Sequence, residues 1–314
     1  MRKKISIVVP MFNEEAGILR FLDKELLGAL EVLPYATEVI LVDDGSEDRT
    51  VEKVATAELR KKFPVRLVAF SRNFGKEVAL SAGLREATGE AVIMIDADGQ
   101  HPVSAIPEMI RKWEEGAEIV TAIRKTNRTK HKLGSKIFYK LMKIFGNGRI
   151  REGEMDFRLL DRVIVEEFNE FTERNRVARG LIDWLGFRQE YVKVEIKGRE
   201  SGKPSQSFRK LLTLAGDSFV SLSRTPLVIF GYLGLLITFV SGVLGLFILV
   251  EQYILGDPLG LDWAGAVAVS IFVAFLVGIV LISQAITALY ISQIHAETKN
   301  RPLYVVDRKK SWER

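Results

Sequence analysis

The alternation of short apolar segments with helical stretches over the first 125 residues constrains this chain more than any other feature. Apolar, β-branched runs that read as strands occur at 5–10, 37–43, 65–70, 91–95 and 118–123. Amphipathic stretches at 14–30, 48–61, 76–87 and 104–115 separate them. Strands that are apolar on both faces and alternate with helices predict an α/β fold, with a mostly parallel sheet and helices on both of its faces.

Polar side chains follow the predicted strands at the points where the strands end. They are Asn13 and Glu14, Asp43 and Asp44, Ser71 to Asn73, and Asp96 and Asp98. Parallel sheets bind ligands at the carboxyl ends of their strands, so these side chains predict a ligand site there. The first strand is not followed by a Gly-x-Gly-x-x-Gly sequence, and no Walker loop occurs, which argues against a dinucleotide cofactor and an NTPase.

Two pairs of carboxylates are candidates for chemistry. Asp96 and Asp98 lie two residues apart after the fourth strand, so both can reach one hard divalent cation that bridges diphosphate oxygens. A polar turn is the alternative, because Asp-x-Asp is common. Asp43 and Asp44 precede Gly45, an ordinary turn signal, but a carboxylate here could also accept the imide N–H of a uracil.

Two uncharged apolar runs, 227–250 and 264–290, predict a membrane hairpin. Each exceeds the roughly 20 residues with which a helix crosses the hydrocarbon layer. The connecting segment is acidic and lacks Lys and Arg, whereas basic residues flank the pair on both outer sides. Basic residues stay on the cytoplasmic side, so we expect a multi-pass protein of the cytoplasmic membrane whose larger domain faces the cytoplasm.

The remaining organisation follows from charge. Residues 130–146 predict a basic amphipathic helix that lies in a membrane interface, with a solvated basic face of a packed helix as the alternative. The predicted parts are a catalytic domain (1–204), a juxtamembrane helix (205–225), the hairpin (226–290) and a C-terminal tail (291–314).

The net charge of +5 favours an anionic membrane surface, and no nucleic-acid motif is visible. The absence of cysteine excludes disulfides and thiolate chemistry.

Several motifs, taken in their order and spacing, resemble one known family. They are Val8-Val-Pro-Met-Phe-Asn-Glu-Glu15, Asp43-Asp-Gly-Ser46, Ser71-Arg-Asn-Phe-Gly-Lys-Glu77 and Asp96-Ala-Asp-Gly-Gln-His-Pro102. These resemble family-two glycosyltransferases of the A-type nucleotide-sugar fold. Asp156-Phe-Arg-Leu159, Arg179-Gly-Leu181, Arg199 and Arg301-Pro-Leu-Tyr-Val305 look like the polyprenyl-phosphate branch, which includes bactoprenol glucosyltransferases and dolichol-phosphate mannose synthases.

The resemblance implies roles for particular residues. The nucleotide-sugar site would comprise Pro10, Phe12, Glu14, Asp43, Asp44, Asp96, Ala97 and Asp98. Asp96, Asp98 and Gln100 would hold Mg²⁺ or Mn²⁺. Arg124, Arg199 and Lys203 would meet donor or acceptor phosphates, and Asp156 would lie near the reacting sugar as a base or a positioning group. Arg158 would either bind phosphate or serve as the structural partner of a carboxylate. His101 and His131 are interpreted as non-catalytic.

The resemblance also implies the reaction. A hexose, with UDP-glucose as the first expectation for the donor, would pass to a polyprenyl phosphate by metal-dependent inverting displacement, and the transmembrane helices could also mediate a homo-oligomer. A processive polysaccharide synthase, a non-catalytic nucleotide-sugar sensor and a phosphate hydrolase are the alternatives. The chain lacks the Gln-x-x-Arg-Trp sequence of the processive synthases.

Overall fold

The structure of the 314-residue chain is a computed structural model. The structure describes residues 3–125, 153–174, 176–195 and 265–313, together with single positions between 236 and 250. The chain divides into two compact units. Unit 1 comprises Met1–Gln206 and Arg301–Arg314, and unit 2 comprises Ser207–Asn300.

Unit 1 alternates strands and helices, as the sequence predicts. The strands are β1 (Lys4–Met11), β2 (Ala36–Asp43), β3 (Val65–Ala69), β4 (Ala91–Met94), β5 (Ile119–Arg124), β6 (Glu154–Asp161), β7 (Gln189–Val194) and β8 (Trp312–Glu313). The helices are α1 (Ile18–Arg20, π-helical Phe21–Leu26 and Leu27–Glu31), α2 (Thr50–Thr56), α3 (Leu59–Lys62), α4 (Lys76–Glu86), α5 (Ile106–Glu114, preceded by the 3₁₀ turn Val103–Ala105), α6 (Arg162–Glu170) and α7 (Ala178–Leu185).

The strands form one mixed sheet in the order β7-β5-β6-β4-β1-β2-β3-β8. β4, β1, β2 and β3 are parallel neighbours, and β5 is parallel to β7. β6 pairs antiparallel with both β4 and β5, so it lies between two strands that precede it in the chain. The α/β class is therefore confirmed, while the sheet is mixed because β6 and β8 run against the other strands.

Side-chain alternation along the central strands builds a core on each face of the sheet. Ile5, Ile7 and Val9 of β1 pack in one cluster with α1 and α5. Val8 points into the other cluster, with α4, α6 and α7. Because successive strand residues face opposite sides, burial on both sides requires apolar side chains at nearly every position. The uninterrupted apolar pattern of the strands follows from this.

Unit 2 contains the long helix α8 (Gly265–Thr298). Among the residues that the structure describes, none of the helices combines the length and the apolar character needed to cross a bilayer. The predicted hairpin of two spans is not found in this part of the chain. The run 227–250 lies outside the described residues apart from single positions, as do the basic helix predicted at 130–146 and the juxtamembrane helix at 205–225.

Residues 301–313, which we call the 301–313 segment, belong to unit 1 and follow unit 2 in the sequence. The sequence assigns these residues to a separate tail, yet β8 pairs antiparallel with β3, with Trp312 opposite Leu67 and Glu313 opposite Arg66. Just beyond the carboxyl end of β3, Phe70 forms an isolated antiparallel bridge with Val306. The segment therefore covers the outer edge of β3 and removes an exposed strand edge within the sheet.

Candidate active site

A cavity of about 290 Å³ opens at the carboxyl ends of the parallel strands β2, β1 and β4. It is lined by Pro10, Met11, Phe12, Glu14, Asp44, Lys76, Ala79, Asp96, Ala97 and Asp98. Most of the predicted nucleotide-sugar residues therefore meet at one place. Met11, Lys76 and Ala79 are lining residues that the sequence did not single out.

The loops after β1 and β2 hold each other in place beside the cavity. The backbone N–H of Asn13 donates to Ser46 Oγ at 2.9 Å, and the N–H of Glu47 donates to Asn13 Oδ1 at 2.9 Å. Asn13 adopts a left-handed conformation with φ of 53°, which asparagine tolerates better than most residues. The two predicted loops thus form one wall.

Asp43 and Asp44 differ in their position relative to the cavity and in their hydrogen-bond partners. Asp43 is fully buried, lies outside the cavity lining, and accepts hydrogen bonds from the hydroxyl and the N–H of Ser46 at 2.5 and 3.1 Å. Asp44 lines the cavity and accepts the N–H groups of Phe74, at 2.7 Å, and Gly75, at 3.0 Å. Burial raises the pKa of both carboxyl groups, and these hydrogen bonds partly oppose it. Asp43 shapes the turn, and Asp44 ties the cavity to the 71–75 loop.

Lys76 joins two carboxylates that are distant in sequence. Its Nζ lies 2.7 Å from Asp96 Oδ2 and 3.0 Å from Asp156 Oδ2. Burial would lower the pKa of Lys76, but the charges of Asp96 and Asp156 outweigh it and raise the pKa above its ordinary value. Lys76 is at the first position of α4, so the loop that binds Asp44 also delivers this ammonium group. A fixed positive charge thus lies beside the cavity.

Asp96 has a second partner in His101, which is 7% exposed. His101 Nε2 lies 3.2 Å from Asp96 Oδ2. Burial alone would raise the pKa of Asp96, but the hydrogen bond from His101 and the charge of Lys76 lower it to about 2. Asp96 is therefore ionised at neutral pH. Sequence analysis interprets His101 as non-catalytic. In the structure, its ring contacts the Asp96 carboxylate and helps to position that group.

Asp156 lies in the first part of β6, and the antiparallel direction of β6 brings it to the same edge of the sheet. Its Oδ1 accepts from Arg179 Nη2 at 3.0 Å. Burial raises the pKa of Asp156, but the charges of Lys76 and Arg179 prevail and lower it. The N–H of Ala178 at the start of α7 donates to Glu77 at 2.7 Å, which fixes α7 and Arg179 against α4. Two cations therefore hold Asp156 as an anion.

The donor set at the end of β4 suits a hard divalent cation. Asp96 and Asp98 both line the cavity, and Gln100, two residues after Asp98 and outside the cavity lining, donates its N–H to Asp98 Oδ1 at 3.0 Å. Carboxylate and amide oxygens are the ligands that Mg²⁺ and Mn²⁺ prefer. Within the described ranges, no group of three or more His, Cys, Asp or Glu could hold a metal ion by itself. The residues fit an ion that shares further oxygens with its substrate.

The predicted basic residues that the structure describes, Arg124 and Arg158, do not line the cavity. Arg158 is fully buried and pairs with Asp183 at 2.7 Å and with Glu154 at 3.4 Å, which favours the structural alternative over phosphate binding. Arg124 is exposed at the end of β5 and does not line the cavity. Arg199 and Lys203 lie outside the described residues.

Sequence reasoning missed Lys76 and Arg179 as site residues, although both lie within quoted motifs. Both contact Asp156, which is 80 residues from Lys76 and 23 residues from Arg179 along the chain. Only the position of β6 in the sheet brings them together. The position of Lys76 directly after the Asn73-Phe-Gly75 turn was the one local signal that could have found it.

Paired aspartates and a lysine at the carboxyl ends of parallel strands define an α/β protein with a polar ligand site at this edge of its sheet. Residues 6–168 match Glycosyl transferase family 2. The chain belongs to this family and is a glycosyltransferase.

Curated relatives match nearly the whole chain. An uncharacterised glycosyltransferase of Synechocystis is 37% identical over 98% of this chain and 95% of its own length. A prophage-derived bactoprenol glucosyl transferase of Shigella flexneri is 36% identical over 97% of this chain and 98% of its own. Among solved structures, mannosyl-3-phosphoglycerate synthase from Rubrobacter xylanophilus aligns with a TM-score of 0.50 at 18% identity, covering 68% of this chain and 71% of that chain. That likeness shows the fold.

Proposed function

We propose that this glycosyltransferase moves a hexose, with glucose from UDP-glucose as the first choice, onto the phosphate of a polyprenyl phosphate lipid. The observation that carries the proposal is the cavity in which Asp44, Lys76, Asp96 and Asp98 meet. Its volume of about 290 Å³ is close to the lower limit of ligand sites, about 300 Å³. The relative named a bactoprenol glucosyl transferase supports the choice of lipid acceptor and of glucose.

The proposed reaction is one displacement at the anomeric carbon. An acceptor phosphate oxygen forms a bond to C1 of the sugar while the bond from C1 to the diphosphate breaks. The electron pair leaves with the nucleoside diphosphate, and the configuration at C1 inverts. A phosphate monoester is already anionic near neutral pH, so this reaction requires no strong base. The site's tasks are to position two anions and to stabilise the charge that the leaving group gains.

Each described residue has a proposed part in these tasks. Lys76 faces the leaving diphosphate and supplies a fixed positive charge. Asp96, Asp98 and Gln100 would hold Mg²⁺ or Mn²⁺, which when bound neutralises the diphosphate. Asp156 acts as a positioning group, because the cations that lower its pKa make it a weak base. Asp44 lies at the nucleoside end of the cavity.

The membrane arrangement is part of the same proposal. The uncharged runs 227–250 and 264–290 and the basic residues that flank them support a hairpin, with unit 1 on the cytoplasmic side. A lipid acceptor cannot leave the bilayer, so an anchored enzyme would meet its phosphate at the surface. Arg124, Arg199 and Lys203 are proposed to meet donor or acceptor phosphates there.

Transfer to lipid tests this function directly. Full-length protein in vesicles with undecaprenyl phosphate is given radiolabelled UDP-glucose, UDP-galactose, UDP-N-acetylglucosamine or GDP-mannose, and label extracted into organic solvent is counted. We expect label in the lipid fraction with one donor, loss of transfer with EDTA, and recovery with Mg²⁺ or Mn²⁺. Asp98→Asn should lose transfer by on the order of 100-fold, because a charged ligand is removed.

The matched control is Glu115→Gln, which changes an exposed carboxylate paired with Arg111 and should transfer like wild type. Label in a polymer would support a processive synthase, and label released as free sugar would support a hydrolase. Absence of a labelled lipid with every donor would overturn the proposal. Full activity in EDTA would contradict the proposed requirement for a metal ion.

A further inference from the structure

The 301–313 segment contacts the sheet at two separate places. Near its end, Trp312 pairs with Leu67 in the middle of β3, and its ring lies under the Arg60 guanidinium at 3.8 Å. Near its beginning, the Tyr304 ring stacks on Phe70 with centroids 4.8 Å apart and planes 20° apart. Because the segment runs antiparallel to β3, its beginning lies at the carboxyl end of that strand. This is the edge of the sheet on which the cavity opens.

At this edge the segment binds the backbone that leaves β3. The N–H of Ser71 donates to the carbonyl oxygen of Val305 at 2.9 Å, and the N–H of Asp307 donates to that of Ala69 at 2.8 Å. Phe70 is fully buried, and its ring also meets Phe74 edge-on at 5.7 Å. The 71–75 loop is therefore held at its first residue by hydrogen bonding, and at Phe74 through a ring that Tyr304 supports.

The other side of the same loop holds Asp44. Phe74 and Gly75 donate their N–H groups to the Asp44 carboxylate, as described above. Gly45, with φ of +73°, packs so closely that a Cβ there would lie 2.3 Å from the carbonyl carbon of Arg72. The loop that receives the segment is thus in direct contact with the turn that carries Asp44, and no described residue intervenes between Phe74 and that carboxylate.

We infer that Tyr304 and the Val305 carbonyl are positioning elements of the donor site, which set the 71–75 loop so that Asp44 and Lys76 face the nucleoside diphosphate. The backbone pairings at Val306, Asp307 and Trp312 cover the edge of β3 without the Tyr304 ring. Tyr304 adds rigidity to a loop whose two N–H groups fix a carboxylate of the cavity. The inference rests on the proposed function, because it assumes that the cavity binds a nucleoside diphosphate.

Three variants of the full-length protein separate this role from simple stabilisation. Tyr304→Ala removes the stacked ring, Tyr304→Phe keeps it, and Trp312→Ala removes an aromatic contact at the other end of the same segment. Thermal unfolding, calorimetric binding of UDP with Mn²⁺, and the kcat and KM for UDP-glucose are measured for each. Tyr304→Leu replaces Tyr304→Ala if the alanine variant does not fold.

Tyr304→Ala should weaken UDP binding and raise the KM by about tenfold, with kcat changed much less. Tyr304→Phe should bind UDP like wild type. Trp312→Ala should lower the unfolding temperature as Tyr304→Ala does, yet keep UDP affinity within about twofold of wild type. Unchanged UDP affinity in folded Tyr304→Ala or Tyr304→Leu would overturn the inference alone. Wild-type protein that binds none of UDP, GDP or ADP would overturn the proposed function and this inference with it.

Discussion

At the scale of single residues, Lys76 contributes to the electrostatics of the site through two carboxylates at once. It joins Asp96, which follows β4, to Asp156 on the neighbouring strand β6. Without the Lys76 ammonium group, the partly buried carboxylates of Asp96 and Asp156 would have no positive charge between them. Like charges held together at low dielectric repel strongly, so Lys76 keeps both anions ionised and in place.

Lys76→Met tests this role, because it keeps the apolar stem and removes the charge. We expect kcat/KM for transfer to fall on the order of 100-fold, since the leaving diphosphate loses a fixed cation. The measurement is steady-state transfer to lipid with folding checked by circular dichroism. Lys61→Met is the control, because Lys61 forms an exposed pair with Glu58 away from the cavity and should leave kcat/KM unchanged. A folded Lys76→Met enzyme within about threefold of wild type would contradict the role.

The sequence predicted the carboxylates of this site better than it predicted the cations. Asp44, Asp96 and Asp98 each follow a strand whose apolar pattern is local, so their common position at one edge could be worked out from strand ends. Lys76 and Arg179 could be recognised as site residues only through their contacts with Asp156. Asp156 reaches the site only because β6 enters the sheet between β4 and β5. Spacing along the chain carries no signal for that insertion.

At the scale of elements, a buried ion-pair cluster joins β6 to α7. Arg158 on β6 is fully buried between Glu154 on its own strand and Asp183 on α7. The side chain of Glu154 is also fully buried, and that of Asp183 is 7% exposed. α7 carries Arg179, so this cluster helps to fix the helix that contacts Asp156.

Arg158→Met should lower the free energy of unfolding by about 3–5 kcal/mol, because it leaves buried carboxylates without their cation. Urea unfolding of the full-length protein in detergent measures the loss. Arg111→Met should cost less than about 0.5 kcal/mol, since its pair with Glu115 is exposed on the surface of α5. If Arg158→Met cost no more than Arg111→Met, the cluster would contribute nothing to stability.

Secondary structure was predictable where the pattern is local and long enough. β1 to β5 and the helices between them follow from apolar runs of strand length separated by amphipathic stretches. β8 contains only two residues, Trp312 and Glu313, and two residues define no periodicity. Its pairing with β3 depends on a partner at Arg66 and Leu67, far earlier in the chain. Such a pairing emerges only when the whole sheet is formed.

At the scale of the whole molecule, acid stability depends on a carboxylate that joins three parts of unit 1. Glu38 on β2 accepts from Lys4 and Ser6 on β1 and from Thr88 before β4, at 2.5–2.8 Å. Burial alone would raise its pKa, but these partners lower the pKa of Glu38 from 4.5 to about 2. Because the folded value lies below the ordinary one, the stabilisation is present above about pH 4.5 and is lost as the pH falls towards 2.

Glu38→Gln should therefore flatten the decline in stability between about pH 4.5 and pH 2, and the variant should be less stable than wild type at pH 7. Urea midpoints across this range make the comparison. Glu58→Gln removes an exposed carboxylate and should give a pH profile parallel to that of wild type. A Glu38→Gln profile as steep as the wild-type one would show that other groups carry the acid sensitivity.

The 301–313 segment also determines at what point during synthesis unit 1 can complete its folding. On the ribosome, residues 207–300 emerge before this segment, although unit 1 needs the segment to cover β3. A nascent chain that ends before residue 301 thus exposes an open strand edge and lacks the Tyr304 contact. Translation must pass through all of unit 2 before β8 can pair with β3, so a truncated product carries the aspartates of the cavity in an incomplete sheet.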